Sequence, residues 1–160
     1  MEIAEILGAD AVKVVSGFTS KKRLLHDLGA LAETNYGVPG NLVVDALIDR
    51  ENLGPTGVGH GIALPHARLP EIKKVCGIFL RLEKPLSFDS VDRQPVDLVF
   101  SLLAPVEAGV EHLKALALVS RSMRDAGLCA KLRANNVFAV PGGPSSKTCP
   151  LANRAISSIS

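Results

Sequence analysis

Residues 75–103 read VCGIFLRLEKPLSFDSVDRQPVDLVFSLL. The stretches 75–82 and 96–103 are apolar enough to form two largely buried strands. The segment between them, 83–95, is polar and contains Pro85 and Pro95, so it is expected to cross the surface. Two buried strands in the middle of the chain predict a sheet at the centre of the fold.

Helical patterns precede this pair of strands. Ser20 is a candidate N-cap for a helix that Gly37 and Pro39 end. Asn41 is a candidate N-cap for a second helix over 42–52, with Gly54 as its stop. The apolar stripe of the first helix consists of Leu24, Leu25, Leu28, Leu31 and Ala32. A β-branched run over 11–15 predicts a strand before both helices.

Further helices are predicted after the strands, over 110–124 and 128–134. The side chains expected to be buried on the longer one are Leu113, Leu116, Ala117 and Val119 or Ser120. Because strands and helices are mixed along the chain, we predict one α/β domain with helices packed on a small mixed sheet. From residue 137 to 160 the chain is rich in proline, glycine and serine, which predicts an irregular tail.

Composition narrows the function. The chain has 160 residues, 47% of them hydrophobic and 21% charged, which is typical of a globular domain. A net charge of +2 and the absence of Trp give no support to nucleic-acid binding. There is no apolar stretch long enough for membrane insertion and no signal-like N-terminus. Three cysteines without Cys-x-x-Cys spacing indicate a reduced protein, so we expect a cytoplasmic location.

Residues 54–66 read Gly-Pro-Thr-Gly-Val-Gly-His-Gly-Ile-Ala-Leu-Pro-His. The glycines let the backbone turn sharply and bring N–H groups close to an anion. Pro65 limits the conformations of the approach to His66. A neutral imidazole is nucleophilic near pH 7 and suits reversible phosphoryl transfer, with Arg50 and Arg68 as candidate positive charges. On local spacing alone, a simple turn is the more frequent outcome.

The other histidines allow alternatives. His26 fits the solvated face of a helix. His112 lies in the first turn of the predicted 110–124 helix, where the dipole favours a neutral imidazole and a nearby anion. A zinc site built from His60, His66 and His112 lacks the usual short-spaced ligand pairs, so no metal is expected. A serine hydrolase is disfavoured because no Gly-x-Ser-x-Gly elbow occurs.

Residues 54–66 resemble the signature of the phosphotransferase-system enzyme IIA family of the fructose/mannitol type, and most of all its nitrogen-regulatory branch. Further similar segments are 20–25, 49–54, 88–100 and 112–119, in the same order as in the family. Together they cover roughly residues 10 to 135. The resemblance implies a three-layer α/β/α sandwich around a small mixed sheet, with an EIIA type-2 domain over 1–136.

The resemblance also implies roles for individual residues. His66 would be the phosphoacceptor, Arg50 would lie beside the phosphoryl group, and His112 would be a second active-site histidine. Gly59, His60, Gly61 and Arg68 are the expected surroundings of the phosphate. His60 departs from the family, which commonly has Asn there. The chain also departs from the family after residue 136, where the family usually has another amphipathic helix.

The function implied is that of a phosphoryl carrier charged by a phosphorylated HPr-type protein, without a cofactor and without turnover of a small substrate. Its regulatory form would control nitrogen- or potassium-related processes by binding target proteins, such as kinases or potassium transporters, according to its phosphorylation state. The alternative is a sugar-specific IIA subunit that passes phosphate to a separate IIB subunit during uptake. A third hypothesis is a binding module whose histidine is never phosphorylated.

Overall fold

The computed structural model describes residues 2–134 and the backbone of residues 146–148. The helices are α1 (Ile3–Ile6), α2 (Lys21–Tyr36), α3 (Gly40–Leu53), α4 (Gly109–Met123) and α5 (Ala126–Ala134). The strands are β1 (Leu7–Val15), β2 (Gly57–Gly59), β3 (Ile62–Ala63), β4 (His66–Leu69), β5 (Cys76–Leu86), β6 (Val96–Pro105) and β7 (Ser146–Thr148).

The strands form one mixed sheet in the order β2-β3-β6-β5-β1-β7. Strand β4 continues the edge begun by β3, since both pair in parallel with β6. The two strands predicted at the centre, β5 and β6, pair antiparallel along most of their length. Helices α2 and α3 pack against the sheet through β1, β5 and β4, whereas α4 packs on β6 and α5. This confirms the predicted three-layer α/β/α fold around a small mixed sheet.

Helix α2 has the ends that its sequence predicts. The Ser20 side chain accepts a hydrogen bond from the Arg23 N–H at 3.1 Å, which caps the first turn. Gly37 ends the helix in the left-handed conformation with φ 69°. Helix α3 crosses α2 closely at Gly29 and Gly40. A Cβ on Gly29 would lie only 2.7 Å from the Gly40 carbonyl oxygen, so the crossing requires glycine there. Helix α3 also packs on β4, and Arg50 lies in its last turn.

Several boundaries differ from the predictions. Asn41 is not the N-cap of α3: Pro39 holds that position, and its carbonyl accepts hydrogen bonds from the N–H groups of Leu42 and Val43. Strand β1 begins at Leu7 rather than residue 11. Strand β5 continues through Pro85, beyond the point where its pairing with β6 becomes irregular. A proline is tolerated where the ladder is interrupted.

The buried face of α4 is also different from the predicted one. Leu113 is 66% exposed, and the residue before it, His112, is buried instead. Ala117 is exposed, Leu116 is partly buried, and the predicted burial of Val119 is confirmed. The buried positions of the helix are His112, Ala115, Val119, Ser122 and Met123. The buried stripe therefore lies one residue before the predicted one and begins with His112.

The core of the sheet contains an aromatic pair. Phe79 and Phe100 lie opposite each other on β5 and β6, fully buried, with ring centroids 6.3 Å apart. Replacing Phe100 by alanine is expected to lower the free energy of unfolding by about 3–5 kcal/mol, since it removes a buried ring and leaves a cavity. Chemical denaturation measures this loss. The exposed Val91, 80% accessible, is the control, and a Phe100→Ala loss no larger than that of Val91→Ala would contradict the packing.

The predicted irregular tail over 137–160 lies outside the described residues, apart from β7. The backbone of Ser146–Thr148 pairs antiparallel with residues 13–15 of β1. In the parts of the chain that the structure describes, no helix is long and apolar enough to cross a membrane.

Candidate active site

His66 is the first residue of β4 and pairs with Leu102 of β6. Its Nδ1 lies 2.9 Å from the carbonyl oxygen of Leu64. A carbonyl oxygen can only accept, so this contact places the ring proton on Nδ1 and leaves a lone pair on Nε2. The extended backbone that Pro65 imposes on Leu64 aims this carbonyl at the ring. The local sequence therefore fixes one tautomer of the imidazole.

Arg50 lies against the free nitrogen of this ring. Its Nε donates to His66 Nε2 at 3.2 Å, which agrees with the lone pair assigned above. Its Nη1 donates to the carbonyl oxygen of Gly54 at 3.0 Å, just past the end of α3. Two contacts to one guanidinium restrict its rotation, and Arg50 therefore presents its remaining N–H groups from a fixed position.

His112 approaches the same ring from the opposite layer of the fold. The two imidazole centroids are 5.8 Å apart, with the rings tilted by 45°. His112 lies in the first turn of α4 and is 6% exposed. Its Nδ1 is buried without a hydrogen-bond partner among the described residues. The structure thus joins Arg50, His66 and His112, three residues that the sequence analysis selected together.

The pKa values of both imidazoles are lowered. Burial is the main cause for His66, with the positive charge of Arg50 acting in the same direction and the Leu64 carbonyl and Glu51 acting against it. Burial also lowers the pKa of His112, assisted by His66 and Arg68. Both rings are therefore neutral at pH 7, and His66 keeps its nucleophilic lone pair.

Both histidines are expected to titrate below the ordinary imidazole value of 6.5 in an NMR titration. Because the unfolded chain then binds these protons more readily than the folded one, stability should decrease as the pH falls below about 6.5. Denaturation midpoints across this range measure the effect, and a His66→Ala, His112→Ala double variant should show a weaker decrease. Titration of either ring at or above 6.5 would contradict the burial argument.

Arg68 belongs to the outer part of this site. It follows His66 by two positions on β4, so both side chains leave the same face of the strand. The Arg68 side chain is exposed, and its charge reaches His112, whose pKa it lowers. Arg68 forms no ion pair within residues 2–134. Arg68 therefore supplies positive charge at the rim of the site.

The structure does not bring Gly59, His60 and Gly61 to the imidazole of His66. They form the tip of the β2–β3 hairpin, and His60 and Gly61 have φ values of 57° and 78°, as a type I′ turn requires. The Gly61 carbonyl accepts from the N–H of Asp97, whereas His66 pairs with Leu102, about 16 Å further along β6. A three-histidine zinc site is consequently not assembled.

His60 has other partners at that tip. Its N–H donates to Asp92 at 2.9 Å, and its carbonyl accepts from Arg133 at 2.8 Å. Arg133 is in turn bound by two hydrogen bonds to the carboxylate of Asp97. The backbone of His60 therefore belongs to a polar cluster that ties the hairpin to α5.

Three features of the site were missed at the level of sequence. The Leu64 carbonyl is a backbone group, so no residue type signals it. Glu51 and Thr56 form hydrogen bonds to each other next to the Gly54 carbonyl that holds Arg50. Glu51 could have been found from its place next to Arg50 at the end of a helix. It was missed because a charged residue in that position is usually solvated.

Comparison with known proteins supports one family. The chain matches the family model of the phosphoenolpyruvate-dependent sugar phosphotransferase system, EIIA 2, over residues 5–140. A nitrogen regulatory protein of Bradyrhizobium diazoefficiens is 45% identical over 135 residues, covering 84% of this chain and 88% of that protein. A nitrogen regulatory protein of Escherichia coli is 38% identical over 135 residues, covering 84% and 83%.

The structural comparison leads to the same result. The crystal structure of the nitrogen regulatory protein IIA-Ntr from Neisseria meningitidis matches with a TM-score of 0.80 at 31% identity, covering 96% of this chain and 98% of that one. The family model spans most of the chain, and the sequence relatives and this structure share the nitrogen-regulatory description. The chain therefore belongs to the EIIA 2 family of the phosphoenolpyruvate-dependent sugar phosphotransferase system, on its nitrogen-regulatory branch.

Proposed function

We propose that His66 accepts a phosphoryl group on Nε2 from a phosphorylated HPr-type protein and that this modification controls binding to regulated target proteins. Membership of the family makes the chain a phosphocarrier component of the phosphotransferase system. The proposal that Nε2 of His66 is the acceptor rests on the tautomer of its imidazole. Nδ1 of His66 is committed to the Leu64 carbonyl, which leaves Nε2 as the nucleophile beside Arg50.

The transfer step balances without an added reactant. The Nε2 lone pair of His66 forms a new N–P bond while the N–P bond to the donor's histidine breaks, and the donor ring takes back the electron pair. Nδ1 of His66 keeps its proton throughout. Positive charge that develops on the ring is stabilised because Nδ1–H already donates to the Leu64 carbonyl.

Arg50 has two states in this scheme. In the resting protein its Nε–H donates to the lone pair of Nε2. Attack on phosphorus requires that hydrogen bond to be exchanged, after which the guanidinium donates to phosphoryl oxygens instead. The second anchor, from Nη1 to the Gly54 carbonyl, keeps the guanidinium in place during this exchange. Such fixed positive charge is what a loose phosphoryl-transfer transition state needs.

His112 and Arg68 complete the surroundings of the phosphoryl group. His112 is neutral at pH 7, so its ring can donate one hydrogen bond to a phosphoryl oxygen. It does so without adding a positive charge beside His66. Its position in the first turn of α4 also aligns the helix dipole with an anion. Arg68 offers exposed positive charge at the entrance, where it attracts the doubly charged phosphoryl group of an incoming donor.

Exposed apolar side chains on the helices and strands of the site support the proposal that it binds other proteins. Leu53 ends the helix that holds Arg50 and is 85% exposed. Val110 and Leu113 flank His112 on α4 and are 67% and 66% exposed. Val106, which follows β6, is 50% exposed. Large apolar side chains around a polar centre are typical of a protein-docking surface, and this one suits an HPr-type donor.

A regulatory output is favoured over sugar uptake because the relatives described above are nitrogen regulatory proteins. Phosphorylation adds about −1.5 to −2 charge units at a site whose elements carry these exposed apolar side chains. That change is sufficient to select between partners by attraction or repulsion. We therefore propose nitrogen- or potassium-related targets, with cytoplasmic action, rather than a separate IIB subunit as the receiver.

The test has two stages. Wild-type protein is incubated with a phosphorylated HPr-type donor, and phosphorus NMR with nitrogen labelling identifies the bonded atom, which is expected to be Nε2 of His66. The unphosphorylated and charged forms are then used as baits, and their captured proteins should differ. Label on another residue, or none, would refute the acceptor; identical captures would refute the regulatory switch.

A further inference from the structure

We propose that Glu51 and Thr56 are positioning residues for phosphoryl transfer, which together hold both the nucleophile and the arginine in register. This inference rests on the proposed role of His66. The inference is drawn from a series of hydrogen bonds that leads from Glu51 through Thr56, Leu64 and His66 to Arg50. The peptide bond between Arg50 and Glu51 closes this series into a ring. Neither Glu51 nor Thr56 forms a hydrogen bond with the imidazole of His66. Apart from the Glu51 charge, which raises the pKa of that ring, both act through other groups.

The first part of the ring joins the end of α3 to the loop that follows. The Glu51 carboxylate accepts from the backbone N–H of Thr56 at 3.0 Å and from its hydroxyl. Thr56 is 3% exposed, and the side chain of Glu51 is 7% exposed. Residues 51 to 56 are therefore closed into a tight loop, and the Gly54 carbonyl that anchors Arg50 lies inside it.

The second part of the ring leads from Thr56 to the nucleophile. The Thr56 carbonyl accepts from the N–H of Leu64 at 2.9 Å. The Leu64 carbonyl faces Nδ1 of His66, and Nε2 of His66 accepts from Arg50, which precedes Glu51 in the chain. Moving Thr56 would therefore shift the group that fixes the tautomer of His66. The same movement would shift the carbonyl that anchors Arg50.

A buried carboxylate needs compensation, and Lys21 supplies it. The Lys21 ammonium lies 2.9 Å from Glu51, so the carboxylate has a cation and two hydrogen-bond donors. Lys21 also lies 3.3 Å from Asp89, whose side chain is 78% exposed. The chain thus offers a matched control, because two carboxylates share one lysine and only Glu51 reaches Thr56.

The test uses Glu51→Leu, which removes both acceptors at similar size, and Asp89→Asn as its control. Phosphoryl transfer from a phosphorylated HPr-type donor should slow about 10- to 100-fold in Glu51→Leu, since small misplacements of reacting groups are costly. Asp89→Asn should remain within about twofold, as exposed pairs contribute little. If Glu51→Leu accepted phosphate at the wild-type rate, the proposal would be overturned.

A second pair of variants protects the test against simple unfolding. Thr56→Val replaces the hydroxyl by a methyl group, whereas Thr56→Ser keeps the hydroxyl. We expect Thr56→Val to slow transfer and Thr56→Ser to restore it to near the wild-type rate. Equal rates in Thr56→Val and Thr56→Ser would show that the hydroxyl does not position the site and would count against the proposal.

The imidazole itself gives a readout that loss of stability does not mimic. Nitrogen NMR shifts of unphosphorylated wild type should show His66 with its proton on Nδ1, and Glu51→Leu should show a mixture of tautomers. An unchanged tautomer in folded Glu51→Leu would refute the positioning role. This readout needs no phosphoryl donor. If wild type took no phosphate but the tautomer still changed, the proposed function would fail and the role in transfer with it, although Glu51 would still be shown to hold the imidazole.

Discussion

Replacing His66 by alanine is expected to abolish phosphoryl acceptance from a phosphorylated HPr-type donor. The variant removes the nitrogen that forms the N–P bond, and no neighbouring group replaces it at the same position. His112 lies in a different position, with its ring centroid 5.8 Å from that of His66 and its Nδ1 buried. Transfer of radioactive phosphate, followed by acid treatment to confirm an N–P bond, measures the loss.

The matched control is His26→Ala, which removes an exposed histidine from α2. This variant should accept phosphate as wild type does. His112→Ala is expected to slow acceptance without abolishing it, because it removes a donor near the phosphoryl group but leaves the nucleophile. If His66→Ala accepted as much phosphate as His26→Ala, His66 would not be the acceptor. If wild type accepted none, the binding module would replace the carrier hypothesis.

Replacing Arg50 by methionine is expected to reduce the transfer rate about 100- to 1000-fold, the usual cost of losing one fixed donor to a transition-state charge. Methionine keeps the unbranched apolar stem of the side chain but removes the charge and both contacts, to Nε2 of His66 and to the Gly54 carbonyl. Single-turnover kinetics with excess phosphorylated donor separates this loss from weaker docking.

Two comparisons sharpen the test of Arg50. Arg50→Lys keeps the charge but not the planar fork, so its rate should lie between wild type and Arg50→Met. Arg23→Met, on the exposed surface of α2, should have little effect. The pKa of His66 should rise in Arg50→Met, because the arginine charge lowers it in wild type. A wild-type rate in Arg50→Met would remove this residue from the mechanism.

The elements of the fold that were predicted well are those with strong local signals. Helix α2 has a side-chain cap and a left-handed glycine at its ends, and both follow from residue type. Strands β5 and β6 are uninterrupted apolar runs, so their burial was evident. The face of α4 was misplaced because burial of His112 depends on the opposing layer, which contains His66 and is 46 residues distant in sequence.

The site was predictable in its residues more than in its connections. His66, Arg50 and His112 were selected by motif resemblance, and the structure places them in contact range of one another. The glycine-rich hairpin was expected to surround the phosphate, because proximity in sequence was taken as proximity in space. The tip of the hairpin, with His60, instead lies at the start of β6, whereas His66 pairs further along that strand. Strand direction, which composition does not reveal, decided that outcome.

The hydrogen-bonded ring from Arg50 to His66 lies within one continuous stretch, residues 50–66. Contacts of such short loop length close quickly and at low entropic cost during folding. His112 lies 46 residues after His66, so its contact with that ring closes a longer loop at a higher entropic cost. Nucleophile and arginine should therefore meet early in the folding of a newly synthesised chain, and the second imidazole should arrive last, so that full reactivity appears only in completely folded molecules.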